Sequence, residues 1–380
     1  MSDGSSVDSD RTMVMTVGML AGQVPPPEAR EHFLVLVEGW QPGLRLPLKP
    51  QALKIGRHAT CDLTIPDSQV SGQHCEVSAP PYMLELLVVD LNSTNGTYIE
   101  GQRVAGRGKL PHGGLLRIGE QVFRHEYLLK SEADKVREHE RDLEKARHYV
   151  QALLPPPLRS GPLHTDWHYQ PSAQLGGDAF GYHQLSEHVF AVYLMDVSGH
   201  GVGPAMHSVT VMNLMRQRAL PQVDFHEPAQ VLRSLNEMFQ MDSHDGMYFS
   251  IWYGVYDLRS RVLRYASAGH HASYLAGPGR GPLQALKTRN LVIGAMPGAA
   301  FHGAEATVPP GSMLYIFSDG VFEVATRSGG QWALPDFLPL LEGPAAPAGQ
   351  EAGRLYEAVR AVAKPGPLDD DFSLLVVTFL

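Results

Sequence analysis

Apolar positions along this chain fall into two kinds of run. Between Glu31 and Leu129 they are short. FLVLVEG, LLVVDL, TYIEG, GLLRIG and QVFRHEYLL alternate with Gly, Asn and Pro turns. That spacing predicts a β-sandwich of about 100 residues. Beyond Leu158 the runs lengthen. VFAVYLMD, MLYIFSD and FSLLVVTFL are almost wholly apolar and bounded by turn residues, which predicts strands buried on both faces. FSIWYGVYDL and RVLRYASAGH predict a hairpin around Arg259-Ser260, while GPAMHSVTVMNLMRQRAL and PAQVLRSLNEMFQM have helical spacing. Residues 1–30, rich in Ser, Asp, Gly and Pro, predict a disordered tail, and 343–353 a surface loop.

Between the two regions, SEADKVREHERDLEKARHYVQALL (131–154) has no Gly or Pro and many charges. Val136, Leu143 and Val150 recur every seven residues, with Ala146 and Leu153 on the neighbouring register. Ser131 with Asp134 resembles a capping box. The pairs Asp134–Arg137, Glu138–Arg141 and Glu144–Arg147 add support, and Pro155, Pro156 and Pro157 end the helix. Two readings stand: a connector helix packing one stripe on a domain, or a short parallel coiled coil that makes a homodimer.

Composition narrows the classes. A net charge of -9 over 380 residues argues against general nucleic-acid or anionic-membrane binding. No apolar run approaches the roughly 20 residues that span a bilayer. TMVMTVGML follows an acidic segment, so it does not fit a secretory signal. The two cysteines, Cys61 and Cys75, form no disulfide or zinc pattern and are expected as small core residues in a cytoplasmic protein.

In the first region the spaced set Gly56-Arg57, Ser71-x-x-His74 and Asn95-Gly96-Thr97 resembles the forkhead-associated (FHA) domain across residues 33–125. The resemblance implies a phosphothreonine-binding sandwich. Its dianionic ligand needs a cation and several neutral donors. Carried over by position, Arg57, Ser71 and Thr94 would hold phosphate and Asn95 the ligand backbone, while Gly56, His74 and Gly96 would be structural. After Ser71 stands Gly72, where many members carry Arg or Asn.

In the second region carboxylates sit at the tips of the apolar runs: Asp178 in GGD, Asp196 in DVSGHG, Asp319 in SDG, and the triplet Asp369-Asp370-Asp371. Two carboxylates about 4 Å apart repel by about 4 kcal/mol at an effective dielectric near 20. Converging tips therefore call for a divalent cation. QALLPPPL, YQPSAQLGGD, MDVSGHGVGPAM, YASAGHH, LVIGAMPG, FSDGVFE and LDDDFSLLVV, in that order, resemble the metal-dependent protein phosphatases (PPM) in their SpoIIE-like bacterial branch. The resemblance implies an α/β (α+β) four-layer domain, two central antiparallel sheets flanked by helices. It also implies hydrolysis of phosphoserine or phosphothreonine with two Mn²⁺ or Mg²⁺ ions. Such ions lower the pKa of a shared water and clamp the phosphoryl oxygens.

By position, Asp196 would bridge both ions with the Val197 carbonyl on one of them. Asp319 and Asp370 would complete the second, and Asp178 would bind directly or through water. Asp196 and Asp178 are thus the catalytic candidates; Asp369 and Asp371 remain alternatives to Asp370. Gly181 stands where members often carry an acid, and no Lys or Arg occurs between Arg159 and Arg216. Phosphate binding is therefore expected to rest on ions and backbone donors. His200 could donate to a leaving oxygen; His270 and His271 read as structural.

The expected organisation is a tail (1–30), an FHA domain (31–129), a linker helix (130–154) and a phosphatase (155–380). The expected substrate is an anti-sigma-factor antagonist or similar phosphoprotein. The expected FHA partner is a phosphothreonine protein such as a Ser/Thr kinase. A competing reading is an FHA adaptor with a decayed phosphatase. A diguanylate cyclase, suggested by GGD alone, fails because no acid follows GGD and no glycine-rich loop with lysine is present.

Overall fold

The computed structural model describes residues 29–81, 83–244 and 246–380. The expected tail falls outside them up to residue 28. The first region is a sandwich of two sheets. The strand Arg30–Glu38 pairs with Gln121–Leu129 and Arg45–Leu48, and Gln121–Leu129 continues to Leu115–Ile118 and Thr97–Ile99. The facing sheet carries Leu53–Gly56, Cys75–Ser78, Leu86–Asp90 and Arg107–Leu110. Alternate residues such as Leu34, Leu36, Val77 and Val88 fill the core between the sheets. Cys61 and Cys75 are buried and free, as expected.

Helix α1 (Lys130–Leu153) starts one residue earlier than predicted. Its N-cap is Leu129, two residues ahead of Ser131, and the Glu132 carboxylate accepts the Leu129 N–H at 3.0 Å. An acid three residues into the helix performs that role wherever the chain turns in. Of the expected pairs, Asp134–Arg137 and Glu144–Arg147 form at 2.5 and 2.6 Å, and Asp142–Lys145 forms at 2.7 Å. Among the described residues no Glu138–Arg141 contact is seen. Ala133 packs against Phe33 and Val35 of the sandwich, while Leu143, Ala146, Val150 and Leu153 pack against Leu175, Ala205 and Val209. Leu143, Ala146, Val150 and Leu153 of the heptad stripe are thus packed within the chain itself. Arg45 reaches Glu140 at 3.4 Å and Arg137 reaches Glu31 at 2.7 Å, which ties the helix to the sandwich.

The second region has two five-stranded antiparallel sheets. One runs Ala179–Ser186, Val189–Val197, Phe249–Asp257, Val262–Ala268, Ala304–Thr307; the other is centred on Phe372–Phe379 between Leu163–Gln170 and Met313–Phe317. Period-2 alternation sorts the apolar runs. Leu314, Ile316, Leu375 and Val377 face the first sheet. Tyr315, Phe317, Leu374 and Val376 face a helical layer. Both faces are dry, so the strands read as unbroken apolar sequence. Helices α2 (Val202–Gln217) and α3 (Pro228–Met238) cover the first sheet. α4 (Leu334–Glu342) and α5 (Glu351–Val362) cover the second, with Phe337, Leu341, Leu355 and Val359 buried. The predicted loop 343–353 is thus three residues too long, since Glu351 already opens α5. Its carboxylate is buried against Arg280 and Arg354, at 2.9 and 2.8 Å. No described helix is long and apolar enough to cross a membrane.

Candidate active site and phosphopeptide pocket

Three of the four aspartate motifs open onto one cavity. The strand Val189–Val197 delivers Asp196 at its end. Asp319 begins a short 3-10 turn after the strand Met313–Phe317, and Asp370 precedes Phe372–Phe379. Asp196, Asp319, Asp369 and Asp370 line a cavity of about 480 Å³, together with Ser198, His200 and Glu323. No Lys or Arg lines it among the described residues.

Glycines let the backbones meet. A Cβ at Gly320 would lie 2.3 Å from the Asp371 carbonyl oxygen. At Gly176 it would lie 2.2 Å from the Asp371 carboxylate, and at Gly177 it would lie 2.5 Å from the Val197 carbonyl oxygen. The two glycines of GGD are thus demanded by close approach, and they bring Asp178 beneath Asp196.

Electrostatics record the convergence. Burial pushes the Asp196 carboxyl up to about 7, and the charges of Asp319, Asp370 and Asp371 push the same way. Burial, then Asp196 and Asp371, raise Asp178 well above the carboxylate range. Ser373 and Ser318 oppose that shift, yet the Oδ2 atom of Asp178 is buried with no hydrogen-bond partner. Burial and then Glu323 raise Asp319; burial raises Asp370, against a backbone N–H from Asp371. Each of these carboxylates is held where its charge is disfavoured.

The triplet separates by partners. Asp369 pairs with Lys364 at 2.6 Å. Asp371 is 3% exposed and accepts from the Ser172 N–H, the Ser172 hydroxyl and the Asp178 N–H at 2.8, 2.9 and 3.3 Å. Asp370 alone of the three is turned to the cavity without a side-chain donor, accepting only the Asp371 N–H at 2.7 Å.

Two expected ligands lie behind the wall. Asp178 is 2% exposed and Val197 fully buried, and neither lines the cavity. No group of three or more His, Cys, Asp or Glu among the described residues stands tightly enough to hold an ion without side-chain adjustment. The donor set still fits a hard divalent cation: all-oxygen, uncompensated by Lys or Arg, with one orphaned buried carboxylate oxygen. Glu323 was not anticipated; it sits four residues after Asp319, where the backbone N–H of Glu323 bonds the Asp319 carbonyl at 2.8 Å. His270 and His271 line the cavity too. Their Nδ1 atoms donate to the His271 and Ala272 carbonyls at 3.0 and 2.9 Å, leaving each buried Nε2 without a partner. Burial pulls His271 down to about 4 and His270 well below the usual range, so both rings are neutral.

The sandwich gathers the other set at one end. The Ser71 hydroxyl accepts the Thr94 N–H at 2.9 Å and donates to its hydroxyl at 3.3 Å. The Asn95 amide donates to the Gln69 carbonyl at 2.8 Å. Arg57 is exposed beside them, its N–H bonded to the Ser71 carbonyl at 2.9 Å. His74 is fully buried: Nδ1 accepts the Ser71 N–H and Nε2 donates to the Gly96 carbonyl, at 3.0 and 3.2 Å. It braces the loops, as the sequence suggested. The His58 ring fills the space beside Gly72, where a Cβ would lie 2.7 Å from it.

A family model described as Stage II sporulation protein E (SpoIIE) matches residues 186–380, and an FHA domain model matches 53–119. Over 208 residues the chain is 27% identical to the phosphoserine phosphatase RsbU of Bacillus subtilis, covering 54% of this chain and 60% of that protein. Over 187 residues it is 26% identical to the phosphoserine phosphatase RsbP of the same organism, covering 48% and 45%. FHA domain-containing protein FhaB of Mycolicibacterium smegmatis is 38% identical over 107 residues, covering 27% and 68%. The chain thus spans about half the length of the phosphatase relatives, 60% of one and 45% of the other. Among solved structures, the SiaA-PP2C domain of Pseudomonas aeruginosa superposes with a TM-score of 0.57 at 22% identity, covering 65% of this chain and 99% of that one. The PP2C phosphatase domain of Bacillus subtilis SpoIIE gives 0.51 at 18% identity, covering 58% and 64%. At these identities the likeness shows the fold.

Proposed function

The chain belongs to the stage II sporulation protein E family of PP2C-type, metal-dependent phosphatases, with an FHA domain ahead of the family region, and on that premise we propose that it hydrolyses phosphoserine in a protein substrate under the direction of a phosphothreonine signal. One observation carries the reading: Asp196, Asp319 and Asp370 face one cavity with no cation among the described residues that line it, and Asp178 lies directly behind. Asp196, Asp319, Asp370, Asp178 and the Val197 carbonyl would hold two Mn²⁺ or Mg²⁺ ions. Bound there, the ions supply Lewis acidity to the phosphoryl oxygens and to an attacking water. The chain's own residues position and exclude. Asp371 fixes the Ser172 turn and the Asp178 backbone. Ser318 donates to the Asp371 carbonyl at 2.9 Å and holds the strand tips together. His200 stands on the cavity wall, where it would donate to a leaving oxygen.

The names of RsbU and RsbP favour phosphoserine. The branch resemblance favours a small anti-sigma-factor antagonist as the protein that carries it. In the sandwich, Arg57, Ser71, Thr94 and Asn95 would take phosphothreonine, on a kinase or its product. The proposed boundaries are 31–129 and 155–380 for the two domains, joined by α1. At Gly366, a Cβ would lie 2.5 Å from the Gly39 carbonyl oxygen, so the sandwich touches the loop that leads to Asp370. Occupancy of the FHA pocket can reach the catalytic loops through that contact and through α1.

The test is phosphate release from a phosphorylated antagonist protein and from kinase-derived phosphopeptides, with Mn²⁺, with chelator, and with Asp196→Asn. Metal-dependent release that Asp196→Asn loses supports the proposal. Release that survives chelator overturns it. No release, together with no effect of Mn²⁺ on thermal unfolding, would instead favour the adaptor reading.

A further inference from the structure

A second recess, away from the carboxylates, is lined in part by polar side chains that no described residue hydrogen-bonds, although the Tyr182 hydroxyl on its wall donates to the Pro156 carbonyl at 2.8 Å. It lies where α1 ends, between Leu153, the strand Ala179–Ser186 and α2, and encloses about 290 Å³. Tyr193 is 2% exposed and lines it, yet its hydroxyl makes no hydrogen bond among the described residues. The Nε2 atom of His183 on the same wall is buried and unpartnered. Burial and then the charge of Arg218 pull His183 down to about 4, so its ring is neutral. Asn213 and Arg216 of α2 complete the polar side, and among the described residues neither side chain has a hydrogen bond or an ion pair. The space exists because residue 181 is glycine. A Cβ there would lie 2.5 Å from the Tyr193 hydroxyl oxygen.

A buried polar atom left unpaired is costly, and the Nε2 of His183 shares its wall with the unengaged side chains of Tyr193, Asn213 and Arg216, so the recess calls for a polar ligand. We propose that this recess binds a small organic carboxylate with an apolar body. Arg216 selects an anion, and its planar fork matches two carboxylate oxygens. Tyr193 and Asn213 supply further donors. No carboxylate lines the recess to compete. Leu153, Phe180 and Met212 close the other side, which offers a ring or branched chain an apolar wall and a second charge nothing. At about 290 Å³ the recess lies at the small end of ligand pockets, which suits a single-ring acid such as benzoate. Such a ligand would touch the end of α1 and a strand that begins directly after Asp178. The binding claim does not depend on the phosphatase reading, because it is read without turnover.

The experiment uses the full chain and a probe set of benzoate, phenylacetate and isovalerate, with benzamide and inorganic phosphate as controls. Binding is read by saturation-transfer NMR and by the shift in thermal unfolding. The expected result is binding of at least one carboxylate and of neither control. Arg216→Gln, at an exposed position, is expected to weaken it by about tenfold or more. Gly181→Ala is expected to weaken it as well by displacing the Tyr193 hydroxyl; should that variant fail to fold, Asn213→Ala gives the second reading. If no carboxylate binds, or if binding is equal in Arg216→Gln, the recess holds solvent only and the proposal is overturned.

Discussion

Replacing Asp196 by Asn should make the metal-free protein more stable. The Asp196 carboxyl is displaced from an ordinary 3.8 to about 7 by burial and by Asp319, Asp370 and Asp371. One pKa unit is worth about 1.4 kcal/mol, so keeping this group ionised costs at most about 4 kcal/mol. The sign follows from linkage. The folded pKa lies above the unfolded one, so the folded state holds its proton more tightly. Stability is unaffected below about 4, falls as pH rises toward 7, and is fully reduced above it. Asn keeps the shape and removes the charge. In chelator, the melting temperature of Asp196→Asn should match wild type near pH 4. It should exceed wild type by on the order of 10 °C at pH 8, taking about 2–4 °C per kcal/mol for a domain of this size. Added Mn²⁺ should reverse the order, stabilising wild type and leaving the variant unmoved. Differential scanning calorimetry at both pH values checks this. A variant that is less stable than wild type in chelator at pH 8 would refute the claim that these carboxylates strain one another.

Asp371→Ala leaves three donors from Ser172 and Asp178 without an acceptor and should destabilise by about 3 kcal/mol in urea unfolding, while Asp370→Asn should not destabilise at all and should abolish phosphate release. Gly320→Ala must push the Asp371 carbonyl away from its 2.3 Å approach, so it should lose activity with both domains still folded by circular dichroism. Arg57→Ala should weaken a phosphothreonine peptide by about tenfold or more in calorimetric titration, with unfolding unchanged, because Arg57 is exposed and braces nothing. His74→Ala should instead unfold the sandwich, since its ring joins Ser71 to Gly96 from a fully buried position.

Much of this architecture was legible because local pattern and tertiary context agree. The runs ending at Asp196 and Asp319 are apolar on both faces, and the structure buries both faces. The glycines of GGD and SDG mark close approaches, Gly177 and Gly320 to backbone carbonyls and Gly176 to the Asp371 carboxylate. What stayed hidden depends on partners far along the chain. Asp371 could not be told from Asp370 until Ser172, 199 residues away, was seen to hold it. The burial of Asp178 behind the cavity wall follows from the same long-range packing. Glu323 ends the FSDGVFE run, but its place on the cavity wall follows from the turn at Asp319. α4, with Pro335 and Pro339 in its sequence, offers little helical signal, and the Gly/Pro/Ala stretch before Glu351 masked the start of α5. The entry of α1 lies at Leu129 because Glu132, three residues on, closes the cap there.

The central claim is that distant aspartates form one ion-binding, phosphate-releasing site. Titrating Mn²⁺ into the full chain by calorimetry, with phosphate release recorded on the same samples, tests it most directly. Two ions per chain are expected, with turnover rising as they bind and both signals lost in Asp196→Asn. Turnover without bound metal, or unchanged Mn²⁺ binding in that variant, would contradict it.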